Sequence, residues 1–243
     1  MAWPSRESVR QSEFVFRATV EKIGASSMPE VPASDRTLVA SVTEVYRAPD
    51  VLRHLAGRSI TVLANDAALQ AGQDVLFLAR GWLYGHSLAV IEVAREVTSV
   101  DFKGLPQQLS AEAQAQRDEA LTARLRRASL VVSARVAQTR SLGPVDPVTV
   151  SEHTPYWSEA VLDVQSVEKG SLQGASVVVL YPESQDIMWH EAPKLRVGQQ
   201  GVFVLTSGRV EGVDREALTA LDPLDVHPPE ALDRVRALIR AGG

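Results

Sequence analysis

The chain has 243 residues, 45% of them hydrophobic and 23% charged, with a net charge of −5 and no cysteine. That is the composition of an ordinary globular protein, long enough for one large or two small domains, and it excludes disulfides, thiolate nucleophiles and zinc–thiolate sites. No apolar run approaches the roughly 18 residues that a membrane-spanning helix needs, and neither half carries the basic excess on which phosphate-backbone binding relies: residues 1–104 hold 11 basic against 12 acidic residues, and 105–243 hold 14 against 18.

In chain order, Phe14 to Glu21 alternates and is rich in β-branched and aromatic residues, which predicts a strand. Gly24 to Asp35 contains two prolines and several serines and reads as a long exposed loop. A second strand covers Thr37 to Tyr46, with a break in its alternation of the kind a bulge produces. Ala48 to Gly57 is a loop or short helical turn, followed by strands at Arg58–Ala64, Asp74–Arg80 and Leu88–Val97. Pro106 to Arg127 lacks glycine and is rich in Ala, Gln, Glu and Arg, which predicts a helix over 109–128 with Ser110 as its cap. Its apolar stripe, Leu121 and Leu125, is thin and is expected to face the second half. Further strands are expected near 129–138, 157–167, 175–181, 200–207 and 217–222. A closing helix is expected near 229–240, opened by Pro228-Pro229-Glu230 and lined by Leu232, Val235 and Ile239.

The halves repeat one another. Phe14-Val-Phe-Arg-Ala-Thr-Val20 returns as Leu130-Val-Val-Ser-Ala-Arg-Val136, and Val42-Thr-Glu-Val45 before Arg47 returns as Val164-Gln-Ser-Val167 before Lys169. Leu55-Ala-Gly57 returns as Leu172-Gln-Gly174, and Gly72-Gln73 before Leu76-Phe77-Leu78 returns as Gly198-Gln199 before Val202-Phe203-Val204. Four matches in one order indicate a duplicated domain. The expected fold is mainly β: two tandem five-stranded barrels, 1–104 and 105–243, with a connecting helix and a C-terminal helix. Closure of each barrel would remove the unpaired sheet edges that invite aggregation.

These strand and turn motifs, over about 12–97 and 128–206, resemble bacterial barrels of the OB type, which are related in fold to netrin-like domains and to tissue inhibitors of metalloproteinases. The resemblance implies a fold and carries no chemistry. The animal inhibitors chelate a protease zinc through an N-terminal cysteine. Here the chain reads Met1-Ala2-Trp3 and has no cysteine, so that mechanism transfers to no residue.

The remaining chemistry-bearing residues form no catalytic set. The five histidines, His54, His86, His153, His190 and His227, make no HExxH or His-x-His pattern. His190 beside Glu191, with Asp186 near, reads as an exposed loop rather than a metal site. There is no Gly-x-Ser-x-Gly elbow and no phosphate loop. The chain is therefore expected to be no enzyme, with no cofactor and no metal. The aromatic residues carry more weight. Trp82 and Tyr84 are expected at the turn between strands four and five, Tyr156 and Trp157 at the start of the second strand of the second half, and Trp189 in an insertion, Pro182 to Pro193, that the first half lacks. Such side chains either cap a barrel core or anchor a partner. Ile187, Met188 and Trp189, with Trp157 and Trp82, are the expected contact residues.

The resulting expectation is a non-enzymatic protein-binding or scaffold module acting through its barrel-end loops: 182–193, 24–35 and 141–155. The alternative is a peptidase inhibitor or regulator of netrin-like type that inserts a loop into an active site. Another protein is the expected partner, with no nucleic acid and no membrane insertion. The location is cytoplasmic if Met1 is the native start, and periplasmic or extracellular if a leader was removed.

Overall fold

Strands dominate because β-branched and aromatic residues alternate with polar ones along most of the chain. In the computed structural model, which describes residues 5–85, 87–97, 104–143, 156–184 and 186–242, the first of them is β1 (Phe14–Ile23). It is preceded by a short helix α1 (Arg6–Gln11), capped by the Ser5 hydroxyl on Ser8 N–H. Then come β2 (Thr37–Arg47), a 3₁₀ turn at Asp50–Leu52, β3 (Ser59–Leu63), β4 (Asp74–Tyr84) and β5 (Leu88–Val97). They close in the order β1-β2-β3-β5-β4, every neighbour antiparallel except the β3–β5 seam. Inside lie Phe14, Phe16, Leu38, Val42, Ile60, Val62, Phe77 and Val90, each almost fully buried. Phe16 and Phe77 stack at 5.5 Å.

The second half repeats this plan with β6 (Leu130–Ser141), β7 (Trp157–Lys169), β8 (Ser176–Pro182), β9 (Gln200–Arg209) and β10 (Glu216–Thr219). The ring closes through β10, parallel to β8 and antiparallel to β9. A two-residue strand β11 (Val226–His227) adds to β9 outside the ring. Both halves are thus five-stranded barrels of OB type, with strand one shared by two neighbours in each.

The duplication extends to hydrogen bonds. Gly72 N–H donates to Val20 and Gly198 N–H to Val136, while Gln73 and Gln199 return their carbonyls to the N–H groups of those same valines. The Gln73 side chain accepts from Gln70 N–H, and that of Gln199 from Arg196 N–H. Where β1 pairs with β2 the register shifts three times, with Tyr46 and Thr43 of β2 and Glu21 of β1 as the extra residues, and where β6 pairs with β7 it shifts at the same three places, with Glu168 and Gln165 of β7 and Ala137 of β6.

The basic residue that ends strand two has one role in both copies. Arg47 donates to the carbonyls of Val9, Ser12 and Leu109, and Lys169 to those of Leu125 and Arg126. Each cation satisfies carbonyls at the end of the helix that precedes strand one, those of Val9 and Ser12 in the first copy and of Leu125 and Arg126 in the second, where the backbone has acceptors to spare; Arg47 also reaches Leu109, near the start of the connecting helix.

The connecting helix α2 runs Leu105–Arg127, four residues earlier at its start than the sequence suggests, so Ser110 lies inside it and not at its cap. Its apolar stripe is in two pieces. Leu105 and Leu109 pack with Val9, Val15, Leu76 and Leu78. Leu121 and Leu125 pack with Val131, Val202, Val204 and Val235. The helix therefore serves both barrels, where the sequence suggested the second alone; the polar stretch between the pairs hid the first. The chain divides into compact units Met1–Gln116 and Arg117–Gly243, within this helix.

At the end of the chain a 3₁₀ turn, Pro229–Ala231, leads into α3 (Leu232–Gly242), whose Val235 is fully buried. Before it, the fully buried carboxylate of Asp225 receives Arg124 through two hydrogen bonds and the N–H groups of Leu221 and Asp222. A buried charge persists only when it is paired and bonded in this way. No helix among the described residues is long and apolar enough to cross a membrane.

Candidate functional site

The two copies differ most in the link between strands three and four. In the first unit Ala64 to Gln73 makes that link, and Leu69 plugs the barrel interior. In the second, Leu195 takes the same place in the core, but it is preceded by residues 183–194, where Leu69 is preceded only by 64–68. This longer loop is a series of turns. Asp186 N–H donates to the Ser184 hydroxyl, and the Asp186 carboxylate accepts from Met188 N–H. Trp189 N–H donates to the Asp186 carbonyl, and Ala192 N–H to that of Trp189.

Side chains lock the loop to the barrel. The rings of Trp189 and Trp157 meet edge to face at 5.8 Å. Trp157, only 2% exposed, donates its indole N–H to the Glu211 carbonyl at 2.8 Å. Lys194 donates to the Trp189 carbonyl at 2.7 Å, and Tyr181 donates its hydroxyl to that of Leu195. His190 Nδ1 lies 2.8 Å from the Ile187 carbonyl. At the foot, Ser158 donates to Glu183 at 2.5 Å, and Glu159 is clasped by Arg140 and Arg215. Burial lowers the pKa of Lys194, with Glu183 opposing, and burial raises that of Tyr181.

This frame leaves Ile187 79% exposed and Met188 67% exposed, side by side at the tip. The sequence-derived residues thus divide into three roles. Ile187 and Met188 project. Trp189 is half-buried and holds the tip in place, and Trp157 is the buried pedestal on which it rests. Trp82 belongs to the other unit, 40% exposed on the outer face of β4. Trp82 and Tyr84 lie within that strand and not in the turn expected for them, because β4 extends four residues beyond Arg80.

Of the other loops, 24–35 folds onto its own barrel: the Thr61 hydroxyl accepts from Ser27 N–H, and Met28 and Val31 are buried against Ala89. Most of the loop 141–155, including His153, lies outside the described residues, as does His86. Among the described residues no group of three or more His, Asp or Glu side chains could hold a metal ion.

No family model and no curated protein matches the chain. Among solved structures, the chain is similar to a deletion mutant of the single-stranded DNA binding protein from Thermus aquaticus. The identity is 10% and the TM-score 0.20, over 89% of this chain and 93% of that one. At that score the likeness carries no argument about what this chain binds. The expectation of no nucleic-acid partner, against which this match stands, is withdrawn because it rested on net charge alone. Net charge is a sum over the whole chain and leaves room for a locally basic surface.

Proposed function

We propose that this chain is a non-enzymatic protein-docking module whose contact surface is built on the loop 183–195 of the second barrel. The observation that carries this reading is the pair Ile187–Met188, held out in water by a loop whose turns over 186–192 are bonded. Exposed apolar side chains that occur singly need no explanation; an adjacent pair on a rigid, braced projection does. Preorganisation matters because a tip already in its bound conformation loses little entropy on docking.

Burying both side chains would contribute about 3–6 kcal/mol. A micromolar complex requires about 8 kcal/mol, so the flanking Asp186, His190 and Glu191 belong to the same interface as a polar rim. The strand motifs support kinship with netrin-like barrels, and the absence of cysteine separates the chain from the zinc-chelating inhibitors related to them. The consecutive turns over 186–192 favour docking into a pocket over strand addition to a peptidase cleft.

The test compares the full chain with the double variant Ile187→Ser, Met188→Ser. Partners retained by the immobilised native chain are purified and titrated against both proteins, with near-ultraviolet circular dichroism of the Trp157–Trp189 pair as the check on folding. The double variant is expected to bind roughly 30-fold or more weakly, the loss of a hot spot worth about 2 kcal/mol. Equal binding by both proteins would overturn the reading. So would tight binding of a labelled single-stranded oligonucleotide that survives the double variant, or inhibition across a panel of peptidases.

A further inference from the structure

The first unit carries a different elaboration, at the barrel end where β2 passes to β3 and β4 meets β5. Between β2 and β3 the first copy has 11 residues, 48–58, and the second copy, between β7 and β8, has 6, 170–175. Leu55 and Gly57 match Leu172 and Gly174, so the extra residues are those before Leu55, including the 3₁₀ turn Asp50–Leu52. They raise a wall beside the barrel mouth. Between this wall and the end of β4 lies a cleft of about 370 Å³, within the range of about 300–1,000 Å³ typical of small-molecule sites.

Its floor is the end of the barrel core. Leu55, Ile60 and Leu88 line it, each at most 5% exposed and each part of the interior cluster, and Leu52 forms the wall. Tyr84 stands opposite, its ring leaning on Phe14 at 6.5 Å. Among the described residues two basic side chains reach the cleft, Arg58 and His54. Among the described residues neither has a hydrogen-bond or ion-pair partner for its side chain. The nearby carboxylates are already engaged: Glu21 accepts from the Ser59 hydroxyl and Glu13 from Gly81 N–H. Arg53 is paired with Asp50. Among the described residues the unmatched charge at the mouth is the guanidinium of Arg58.

We propose that this cleft binds a small amphipathic carboxylate, with its aliphatic or aromatic body on Leu55, Ile60 and Leu88 and its anionic group on Arg58. A planar guanidinium receives a carboxylate through two parallel hydrogen bonds, which a neutral isostere cannot form. The apolar floor supplies the second requirement, so charge without a body is not enough. This site is independent of the tip at Ile187 and Met188 and stands or falls separately from the docking function.

The experiment is calorimetric titration of the full chain with octanoate and benzoate, with octanamide, benzamide and inorganic phosphate alongside. One carboxylate per chain should saturate at millimolar or lower concentration. The amides should bind at least tenfold more weakly and phosphate should not saturate. Arg58→Gln should weaken carboxylate binding at least tenfold; its side chain holds no other group, so the fold is kept. Leu52→Ser, which lowers the wall, should weaken octanoate and leave the far-ultraviolet spectrum unchanged. Absence of saturable carboxylate binding, equal affinity for the amides, or indifference to Arg58→Gln would each overturn the proposal. Sedimentation that shows self-association abolished by Arg58→Glu would overturn it as well, by giving the cleft to a second copy of the chain.

Discussion

Arg47 and Lys169 occupy equivalent places and make equivalent bonds, yet with different reach. Arg47 holds three carbonyls, 38, 35 and 62 positions away in sequence, whereas Lys169 holds two, 44 and 43 positions away. Arg47 is also the more demanding case, since burial lowers its pKa, with Glu112 opposing. Arg47→Met, which keeps the stem and removes the donors, is expected to destabilise the first unit by about 2–3 kcal/mol. Lys169→Met, nearer the surface, should cost the second unit about 1 kcal/mol. Urea unfolding followed by tryptophan fluorescence and circular dichroism measures both; equal small losses would mean that the carbonyl bonds are dispensable. The motif Val-x-x-Val-x-Arg/Lys was legible in the sequence, but its purpose was not. The partners are backbone atoms, which leave no signature in side-chain identity. The same limit applies to Arg58 and His54: a run of residues longer than its counterpart can be counted, but an unpartnered guanidinium above an apolar floor exists only once the chain is folded.

Among the elements, the strands were readable because period-two alternation is a strong signal over five to thirteen residues, and the turns because glycine marks them. Helix α1 was not, because six residues with one buried side chain, Val9, show no period. The turns also differ in a way that sequence does not reveal. Gly170 and Gly174 both have positive φ, +86° and +95°, in the same short link between β7 and β8. A Cβ at Gly174 would meet nothing within 4 Å, while one at Gly170 would lie 2.4 Å from the Ser129 carbonyl oxygen. Gly174→Ala is therefore expected to cost about 1–2 kcal/mol, the strain of a left-handed residue alone. Gly170→Ala adds the overlap with the backbone at the start of β6, for a total of about 2–5 kcal/mol. Chemical denaturation of the two variants side by side tests the difference. A Gly170→Ala protein as stable as Gly174→Ala would show that the chain entering β6 can move aside.

At the scale of the whole molecule, the division within α2 sets where the chain can be cut. A boundary at 104/105 would remove Leu105 and Leu109 from the first barrel, where they are 1% and 5% exposed. Burying two leucines stabilises by about 3–6 kcal/mol at most. A fragment ending at Gln116 should accordingly be more stable than one ending at Gly104 by an amount of that order. Thermal unfolding of the two fragments checks it, and equal melting temperatures would mean that the helix adds nothing to the first unit. The duplication itself was visible in sequence through matched motifs, whereas the sharing of one helix by two cores was not, since its two apolar pairs are separated by 11 polar or small residues, 110–120. The paired bulges bear on the history of the chain. Each skipped position in the first pair of strands, Tyr46, Thr43 and Glu21, has its counterpart in the second, Glu168, Gln165 and Ala137, although the residues there have drifted. An irregularity present in both descendants was already present in their common ancestor. Because every bulge pins the pairing on either side of it, the lineage could exchange side chains freely while the contour of its longest strands stayed the same.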